Sequence, residues 1–392
     1  MRFAVARQEA LARLEAFLPD AGSHYAKRRN YDYGQGAHNH VSGLSPALRR
    51  RTLCEEEVIK ATLSHHRFAS SEKFIQEVFW RTYWKGWLEM RPGLWSDYRA
   101  WLTKGPKDSA FLQAALTGTT DIPCFNDWHR ELIETNYLHN HSRMWFASIW
   151  IHTLGLPWQS GAAFFMHHLS DGDPASNTLG WRWVAGLQTR GKAYAARADN
   201  IAQFTNGRHT PYGLLQEDVT AIDGPENPPA MTVRPPLSAT GTRPLLILTP
   251  EDCHSESLTL PHKPVAVASL SSDLIPNRAT SVMRDDEKAL ADGVNRAKAY
   301  YKVPSYAPVQ ANDGQDGLSQ IFAQAKSDYQ ADHIVMAYQP VGYWHDFLSH
   351  NTLPITEIMR VYDHLCWPHA KKGFFPFKEK IPSFISSVTA GR

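Results

Sequence analysis

The sequence predicts a mostly α-helical domain followed by a smaller α/β domain with a parallel sheet. In residues 1–213, apolar side chains recur every three or four positions, which is the spacing of amphipathic helices. In residues 244–392, two short apolar runs typical of buried parallel strands are followed by helical patterns. Residues 214–243 hold five prolines and few aromatic residues, a composition typical of linkers. We therefore predict two domains joined by a proline-rich linker.

Turn-forming residues divide the first domain into separate helices. The breakers are RPG at 91–93, GTTDIP at 118–123, GLPW at 155–158 and DGDP at 171–174. Between them the periodicity predicts helices over 1–18, 55–66, 71–90, 125–154 and 160–170.

The second domain alternates strands and helices. The predicted order is strand 244–250, strand 264–270, helix 284–301, strand 303–310, helix 316–329 and strand 333–341. This part contains no glycine-rich phosphate loop, so it predicts no nucleotide site of its own.

Composition narrows the class of protein. The chain has 392 residues, of which 43% are hydrophobic and 20% charged, as in globular proteins rather than disordered ones. The net charge is only +2, but residues 1–213 carry 25 basic and 19 acidic side chains, whereas the remainder carries 16 and 20. This charge excludes a polycationic protein that coats nucleic acid. Any contact with a phosphate backbone is expected in the first half of the chain.

Cysteine and histidine usage indicates neither a disulfide framework nor a metal site. The four cysteines are far apart in the sequence and predict reduced thiols. The 19 histidines include no HExxH pattern, so we predict no metal. No continuous apolar run is long enough to span a membrane, and the first 18 residues lack the apolar core of a signal peptide. The expected protein is cytoplasmic and monomeric.

The segment LSDGDPASNTLGWRW, residues 169–183, is the densest in chemical groups. Asp171 and Asp173 flank a glycine at the end of a helix, and Asn177, Trp181 and Trp183 follow. Such acid–glycine–acid groups usually cap helices or solvate turns. The alternative is that the two carboxylates and the amide bind the edge of a flat heterocycle.

This segment resembles the photolyase/cryptochrome flavoproteins, whose FAD domain carries DGDxAxNxGxWxW. Four further blocks resemble the family and occur in its order: YAKRRN (25–30), VSGLSPALRR (41–50), FIQEVFWRTYW (74–84) and YLHNHSRMWFAS (137–148). The resemblance covers about residues 20–210. It implies a helical FAD-binding domain, with FAD as the cofactor.

The resemblance assigns a set of cofactor-binding residues. Ser42 to Ser45 match the family's phosphate loop, Arg143 matches the arginine that pairs with Asp171, and Asn177 matches the residue that faces flavin N5. The implied set is Tyr25, Ser42, Gly43, Leu44, Ser45, Arg81, Asn140, Arg143, Asp171, Gly172, Asp173 and Asn177.

The resemblance also implies an electron path of three tryptophans toward the flavin. Trp181 and Trp158 match its first two members. No tryptophan stands at the third position, near Gly105, and Trp101 or Trp95 could substitute. The alternative for each single tryptophan is a place in the apolar core.

A lesion-binding face is implied on the helix of residues 74–84. Glu77 and Trp80 match the pair that holds a flipped pyrimidine dimer, and they share a helix face. The alternative for Glu77 is an ion pair with Arg81 one turn away. The implied pocket comprises Glu77, Trp80, Asn140, His141, Met144 and Trp183. His141, Thr82 and Leu179 depart from the residues usual in photolyases.

These matches imply a cyclobutane pyrimidine dimer photolyase, a carbon–carbon lyase. Excited, reduced FAD would donate an electron to the lesion, FAD would be photoreduced through tryptophans, and damaged DNA would be the partner. The alternative is a cryptochrome-like photoreceptor that signals through a protein partner without DNA repair. A flavin-binding protein without a light function is disfavoured by the retained Trp181 and Trp158.

The second domain resembles the family's antenna domain, which is Rossmann-like and normally comes first. Its best match is Phe375 to Lys378, in a segment similar to the F-x-P-F-K end of that domain. The resemblance therefore implies a circularly permuted domain order. No residues recognisable as holding an antenna pigment are present, so none is expected.

Overall fold

The computed structural model describes residues 3–271, 274–310 and 314–390, and these residues form a helix-rich part and a small parallel sheet. The helices of the first part are α1 Arg7–Phe17, α2 Ser23–Arg28, α3 Ser45–Arg49, α4 Glu55–His65, α5 Phe68–Glu89, α6 Pro92–Lys104, α7 Ala110–Thr117, α8 Pro123–Thr135, α9 Asn140–Ser148, α10 Trp158–His168, α11 Pro174–Val184 and α12 Ala198–Phe204. None of the helices in the described ranges combines the length and hydropathy that a bilayer crossing requires.

The helix predicted over 125–154 is interrupted in the structure. α8 ends at Thr135 because Asn136 adopts a left-handed conformation with φ 59°. A new helix, α9, begins at Asn140 and continues into one π-helical turn, Ile149–Thr153. The apolar periodicity runs through the break, so it does not reveal this interruption.

The sheet has five parallel strands in the order β3-β2-β1-β4-β5. The strands are β1 Pro244–Leu248, β2 Ala266–Ser271, β3 Val309–Gln310, β4 His333–Ala337 and β5 Ile355–Ile358. β1 lies at the centre and pairs with both β2 and β4. The chain reverses its winding direction beside β1, as in doubly wound sheets.

Helices cover both faces of the sheet. Alternate residues of β1 face opposite sides, so Leu246 packs toward α13 (Thr280–Tyr301) and Leu245 toward α14 (Gly314–Tyr329). The remaining helices are α15 Tyr343–Ser349, α16 Val361–Cys366, α17 Phe374–Lys378 and α18 Ile381–Ala390.

The helices α16 to α18 pack into the helical part rather than onto the sheet. Tyr362, Phe377 and Phe384 belong to the same apolar core as Phe79 of α5. At Gly86, a Cβ atom would lie 2.7 Å from the Cα of Trp367, so glycine permits the close approach of the two backbones. Residues 244–392 therefore contribute to both the sheet and the helical core.

The proline-rich segment 214–243 has no regular secondary structure but is held along its length. Met231 donates its backbone N–H to the carbonyl of Met90. The backbone N–H of Glu357 in β5 donates to the carbonyl of Leu237. Arg234 forms an ion pair with Glu357 at 2.7 Å. The segment is therefore anchored to both parts of the protein at fixed points.

Candidate functional site

A cavity of about 570 Å³ lies in the helical part, and α5, α9 and α11 supply most of its walls. Its volume is in the range of small-molecule and cofactor sites. The predicted residues that line it are Ser45, Glu77, Trp80, Arg81, Asn140, His141, Arg143, Met144, Asp171, Gly172, Asp173, Asn177, Trp181 and Trp183.

The turn of residues 171–173 places its two carboxylates in different environments. Asp171 accepts a hydrogen bond from Arg143 at 2.9 Å, which is the pair that the family motif implies. Asp173 is the N-cap of α11 and accepts the backbone N–H of Ser176 at 2.9 Å. Asp173 therefore caps a helix and lines the cavity at the same time.

Asp173 is buried and surrounded by cations. Arg81 lies 2.8 Å and Lys85 3.0 Å from its carboxylate. Burial alone would raise the pKa of Asp173, but the charges of Lys85, Arg81 and Arg49 hold it well below its ordinary value. The wall of the cavity thus contains a carboxylate that stays ionised.

The sequence did not indicate several members of this charge cluster. Lys85 bridges Asp173 and Glu251, and Arg49 pairs with Glu251 at 2.6 Å. Glu55 pairs with Arg81 at 3.0 Å. Lys85 follows Arg81 by four residues on α5, a spacing that places both on one face and could have indicated its role. Glu251 comes from the loop after β1, which local sequence could not connect to α5.

Asn177 and Trp181 lie one turn apart on α11. The Asn177 side chain donates its Nδ2–H to the carbonyl of Ala162 at 2.7 Å, so its Oδ1 is the atom left for another partner. The Trp181 ring packs against α10 at Gly161, where a Cβ atom would lie 2.3 Å from it. α10 therefore positions both side chains.

The α5 wall carries the residues predicted to hold a lesion. Glu77 forms an ion pair with Arg29 of the segment after α2, whereas Arg81 pairs with Glu55 and Asp173. Among the ion pairs of the described residues, Glu77 therefore does not form the alternative pair with Arg81. Trp80 stacks on Phe374 of α17, with ring centroids 3.6 Å apart.

The α9 wall combines an exposed amide with a neutral imidazole. Asn140 is exposed at the start of α9, and its side chain lies 4.0 Å from the sulfur of Met144. His141 stacks on Trp145 and bonds to the carbonyl of Asn30 at 3.0 Å through Nδ1. Burial lowers the pKa of His141, so this imidazole carries no charge at neutral pH.

The predicted phosphate loop lies mainly outside the cavity lining. Ser45 lines the cavity, but Ser42, Gly43, Leu44 and Tyr25 do not belong to its lining residues. Gly43 has a φ of 64°, and Arg13 donates to the carbonyls of Val41 and Ser42, the two residues that precede it. Arg13 therefore holds the backbone of this loop in place through hydrogen bonds. The sequence did not indicate this role.

Trp158 lies outside the cavity lining and begins a short series of buried aromatic rings. Its ring stacks on Tyr98 with a centroid distance of 5.7 Å. Tyr98 in turn lies 5.5 Å from Trp95, whose indole N–H donates to Asp346 at 2.8 Å. Of the two substitutes named from the sequence, Trp95 is in contact with this series through Tyr98.

Within the described residues, two clusters outside the cavity contain side chains of the types that bind metals. They are Cys54, Glu57 and His254, and Asp32, His38 and Glu131. Their carboxylates already have partners: Glu57 pairs with Arg7, and Asp32 with Arg208 and Ser142. Both carboxylates are therefore already engaged in ion pairs or hydrogen bonds.

Residues 74–208 match the family model described as the FAD binding domain of DNA photolyase. The chain is 30% identical over 221 residues to a deoxyribodipyrimidine photo-lyase of Streptomyces griseus, covering 50% of this chain and 48% of that protein. A class III photolyase structure from Agrobacterium tumefaciens is 26% identical with a TM-score of 0.45, covering 51% of this chain and 43% of that one. A Synechocystis cryptochrome structure is 24% identical with a TM-score of 0.46 and the same coverage. The matches span less than half the length of each relative.

The residues of the cavity fit an FAD cofactor. Three buried polar atoms on its walls have no hydrogen-bond partner within the described parts of the chain: Asp171 Oδ1, Arg81 Nη2 and Trp181 Nε1. Buried polar groups of this kind are normally satisfied, which indicates that a ligand supplies their partners. The cofactor of this domain is FAD.

Proposed function

We propose that this chain is a member of the photolyase/cryptochrome family and a blue-light-dependent DNA repair enzyme that splits cyclobutane pyrimidine dimers; the match of residues 74–208 to the FAD binding domain of DNA photolyase and the likeness to deoxyribodipyrimidine photo-lyases support it. One observation carries the proposal. Glu77 and Trp80, the matches to the lesion-holding pair, line the same cavity as Asp171 and Asp173. A dimer flipped into this cavity would lie beside the cofactor.

The roles proposed for the cavity residues follow from their chemistry. Bound, reduced FAD would supply the electron that opens the dimer under blue light. The Trp80 ring offers a stacking surface for a base, and the Glu77 carboxylate accepts hydrogen bonds from base N–H groups. Asn177 has its amide nitrogen occupied by Ala162, so its oxygen would accept a hydrogen bond from the flavin edge.

We propose Trp181 and Trp158 as the first two members of the electron path. Trp181 lines the cavity, and Trp158 leads through Tyr98 to Trp95. The hydrogen bond from Trp95 to Asp346 provides a carboxylate that could take the indole proton when Trp95 loses an electron. Trp95 is therefore our choice for the third member of the path.

The exchanged domain order is also part of the proposal. The doubly wound sheet and the packing of Phe377 into the helical core support the likeness of residues 244–392 to the antenna domain. A rearranged chain with this segment placed before residues 1–213 should bind FAD as tightly as the natural order. Loss of FAD binding in a rearranged chain that folds would contradict the proposal.

Repair of a dimer-containing oligonucleotide by the reduced, purified protein under blue light tests the proposed activity. Repair should occur in light and not in darkness, and Glu77→Ala should abolish it. Glu134→Ala, which removes an exposed carboxylate of α8, serves as the matched control and should repair normally.

The second candidate function is a cryptochrome-like light sensor. It is favoured by the ion pair between Glu77 and Arg29, which already engages the carboxylate proposed to hold the lesion. A protein that photoreduces its FAD but neither binds nor repairs the oligonucleotide would favour this function.

A further inference from the structure

The segment of residues 371–380, KKGFFPFKEK, forms a basic surface beside the cavity. It contains four lysines and one glutamate, although the second half of the chain is acidic in balance. Its Phe374 stacks on Trp80, a cavity-lining residue, at 3.6 Å. We call residues 371–380 the basic segment.

The backbone of the basic segment is held while its lysines remain exposed. Tyr83 donates its hydroxyl to the carbonyl of Lys372 at 2.8 Å, and Arg91 donates to the carbonyl of Lys371 at 2.8 Å. Both donors are fixed: Tyr83 is buried in α5, and Arg91 lies over the ring of Trp87. The side chains of Lys371 and Lys372 are exposed.

An apolar side chain accompanies these charges. Phe375 is 77% exposed and directly follows Phe374. Lys378 is partly neutralised by Glu72 at 3.2 Å, so Lys371 and Lys372 are the pair more available to a partner. Exposed lysines beside an exposed aromatic ring are the combination that binds a nucleic-acid strand, through its phosphates and the faces of its bases.

We propose that the basic segment binds the DNA backbone next to the flipped lesion, with Lys371 and Lys372 on phosphates and Phe375 against a base or sugar. This inference rests on the proposed repair function. It adds a DNA contact from the second half of the chain, whereas the charge balance of the sequence pointed to the first half.

The salt dependence of DNA binding by the full-length, FAD-loaded protein tests the inference. Because each phosphate contact contributes about 0.9 to the slope of log affinity against log salt, Lys371→Ala/Lys372→Ala should lower that slope by about 1.8. The loss of affinity should therefore shrink by about 3.5-fold when the salt concentration is raised from about 0.1 to about 0.2 M. The loss of affinity should be equal for dimer-containing and undamaged duplexes, because a phosphate contact does not distinguish damaged from undamaged bases.

Lys298→Ala/Lys302→Ala is the matched control, since both lysines are exposed on or just after α13 of the sheet domain. It should leave the slope unchanged. An unchanged slope in the Lys371/Lys372 variant, or an equal loss in the control, would overturn the inference while leaving the repair proposal standing. Absence of DNA binding by the unmodified, FAD-loaded protein would overturn both. The FAD absorption spectrum of each variant reports whether the fold is intact.

Discussion

Asp173 is the residue on which the charges of the cavity converge. It caps α11 and faces Arg81 and Lys85 within 3.0 Å. Replacement by asparagine retains a good helix cap but removes the negative charge. This substitution therefore separates the two roles of the residue.

Asp173→Asn should lower the free energy of unfolding by about 3–5 kcal/mol, because it removes one of the carboxylates that balance the buried charges of Arg81 and Lys85. Urea denaturation at pH 7 measures the change. Asp199→Asn is the control at an exposed aspartate in the first turn of α12 and should have little effect. A loss in Asp173→Asn no larger than in the control would contradict this account of the cluster.

Trp158 is the residue that tests the proposed electron path. Trp158→Phe should greatly slow the photoreduction of FAD, because phenylalanine is much harder to oxidise than tryptophan. The bleaching of oxidised FAD under blue light with an external thiol reductant measures the rate. Trp128→Phe, at a buried tryptophan of α8 that stacks on Trp145, is the control for the loss of a large aromatic. Equal rates in the two variants would argue against a path through Trp158.

At the scale of elements, the approach of α10 and α11 depends on one glycine. The Trp181 ring occupies the space that a side chain at position 161 would need. Gly161 is thus a packing requirement that helical periodicity cannot reveal.

Gly161→Ala should destabilise the protein by about 1–3 kcal/mol, because the added methyl overpacks the contact with Trp181. It should also change the fluorescence of Trp181. Gly93→Ala, in α6 with no atom near the added methyl, should be neutral or slightly stabilising. Thermal unfolding of both variants measures the difference. Equal melting temperatures would show that the Trp181 ring can move away from the added methyl without a loss of stability.

At the scale of the whole molecule, buried ion pairs join the two parts of the chain. Arg51 of the helical part forms a bidentate ion pair with Asp363 of α16 at 2.6 Å, and Arg50 pairs with Asp286 of α13 at 2.7 Å. Arg49 reaches Glu251 in the same region. Since such pairs are costly to break singly, the two parts should unfold together.

The stability of the protein should decline in two steps as the pH is lowered. Burial lowers the pKa of His139 to about 4, so the folded state keeps it neutral while the unfolded state takes up a proton near its ordinary value of about 6.5. Stability from this group is complete above about pH 6.5 and declines as the pH falls toward 4. The depressed pKa of Asp173 adds a second decline below about pH 4.

Urea midpoints measured between pH 7 and pH 3 check this expectation. His139→Gln should make the decline between pH 6.5 and 4 shallower and leave the decline below pH 4 in place. A part of the first decline remains in this variant because burial also lowers the pKa of His168 to about 4. His65→Gln, at an exposed histidine at the end of α4, is the control and should preserve both steps. A curve for His139→Gln that overlays the unmodified protein would contradict the assignment.

Local sequence was sufficient to predict the helix-rich part, the strands β1, β2 and β4 and the family motif, because each is encoded in a few adjacent residues. The family resemblance implied Asp171, Asp173, Asn177 and Glu77 as site residues, and all four line one cavity of the structure. The contacts that complete the cavity join residues distant in the chain: Glu251 with Lys85, Arg29 with Glu77, and Phe374 with Trp80. Such contacts depend on how helices and loops approach one another in space, and neither helical periodicity nor a short motif records that approach.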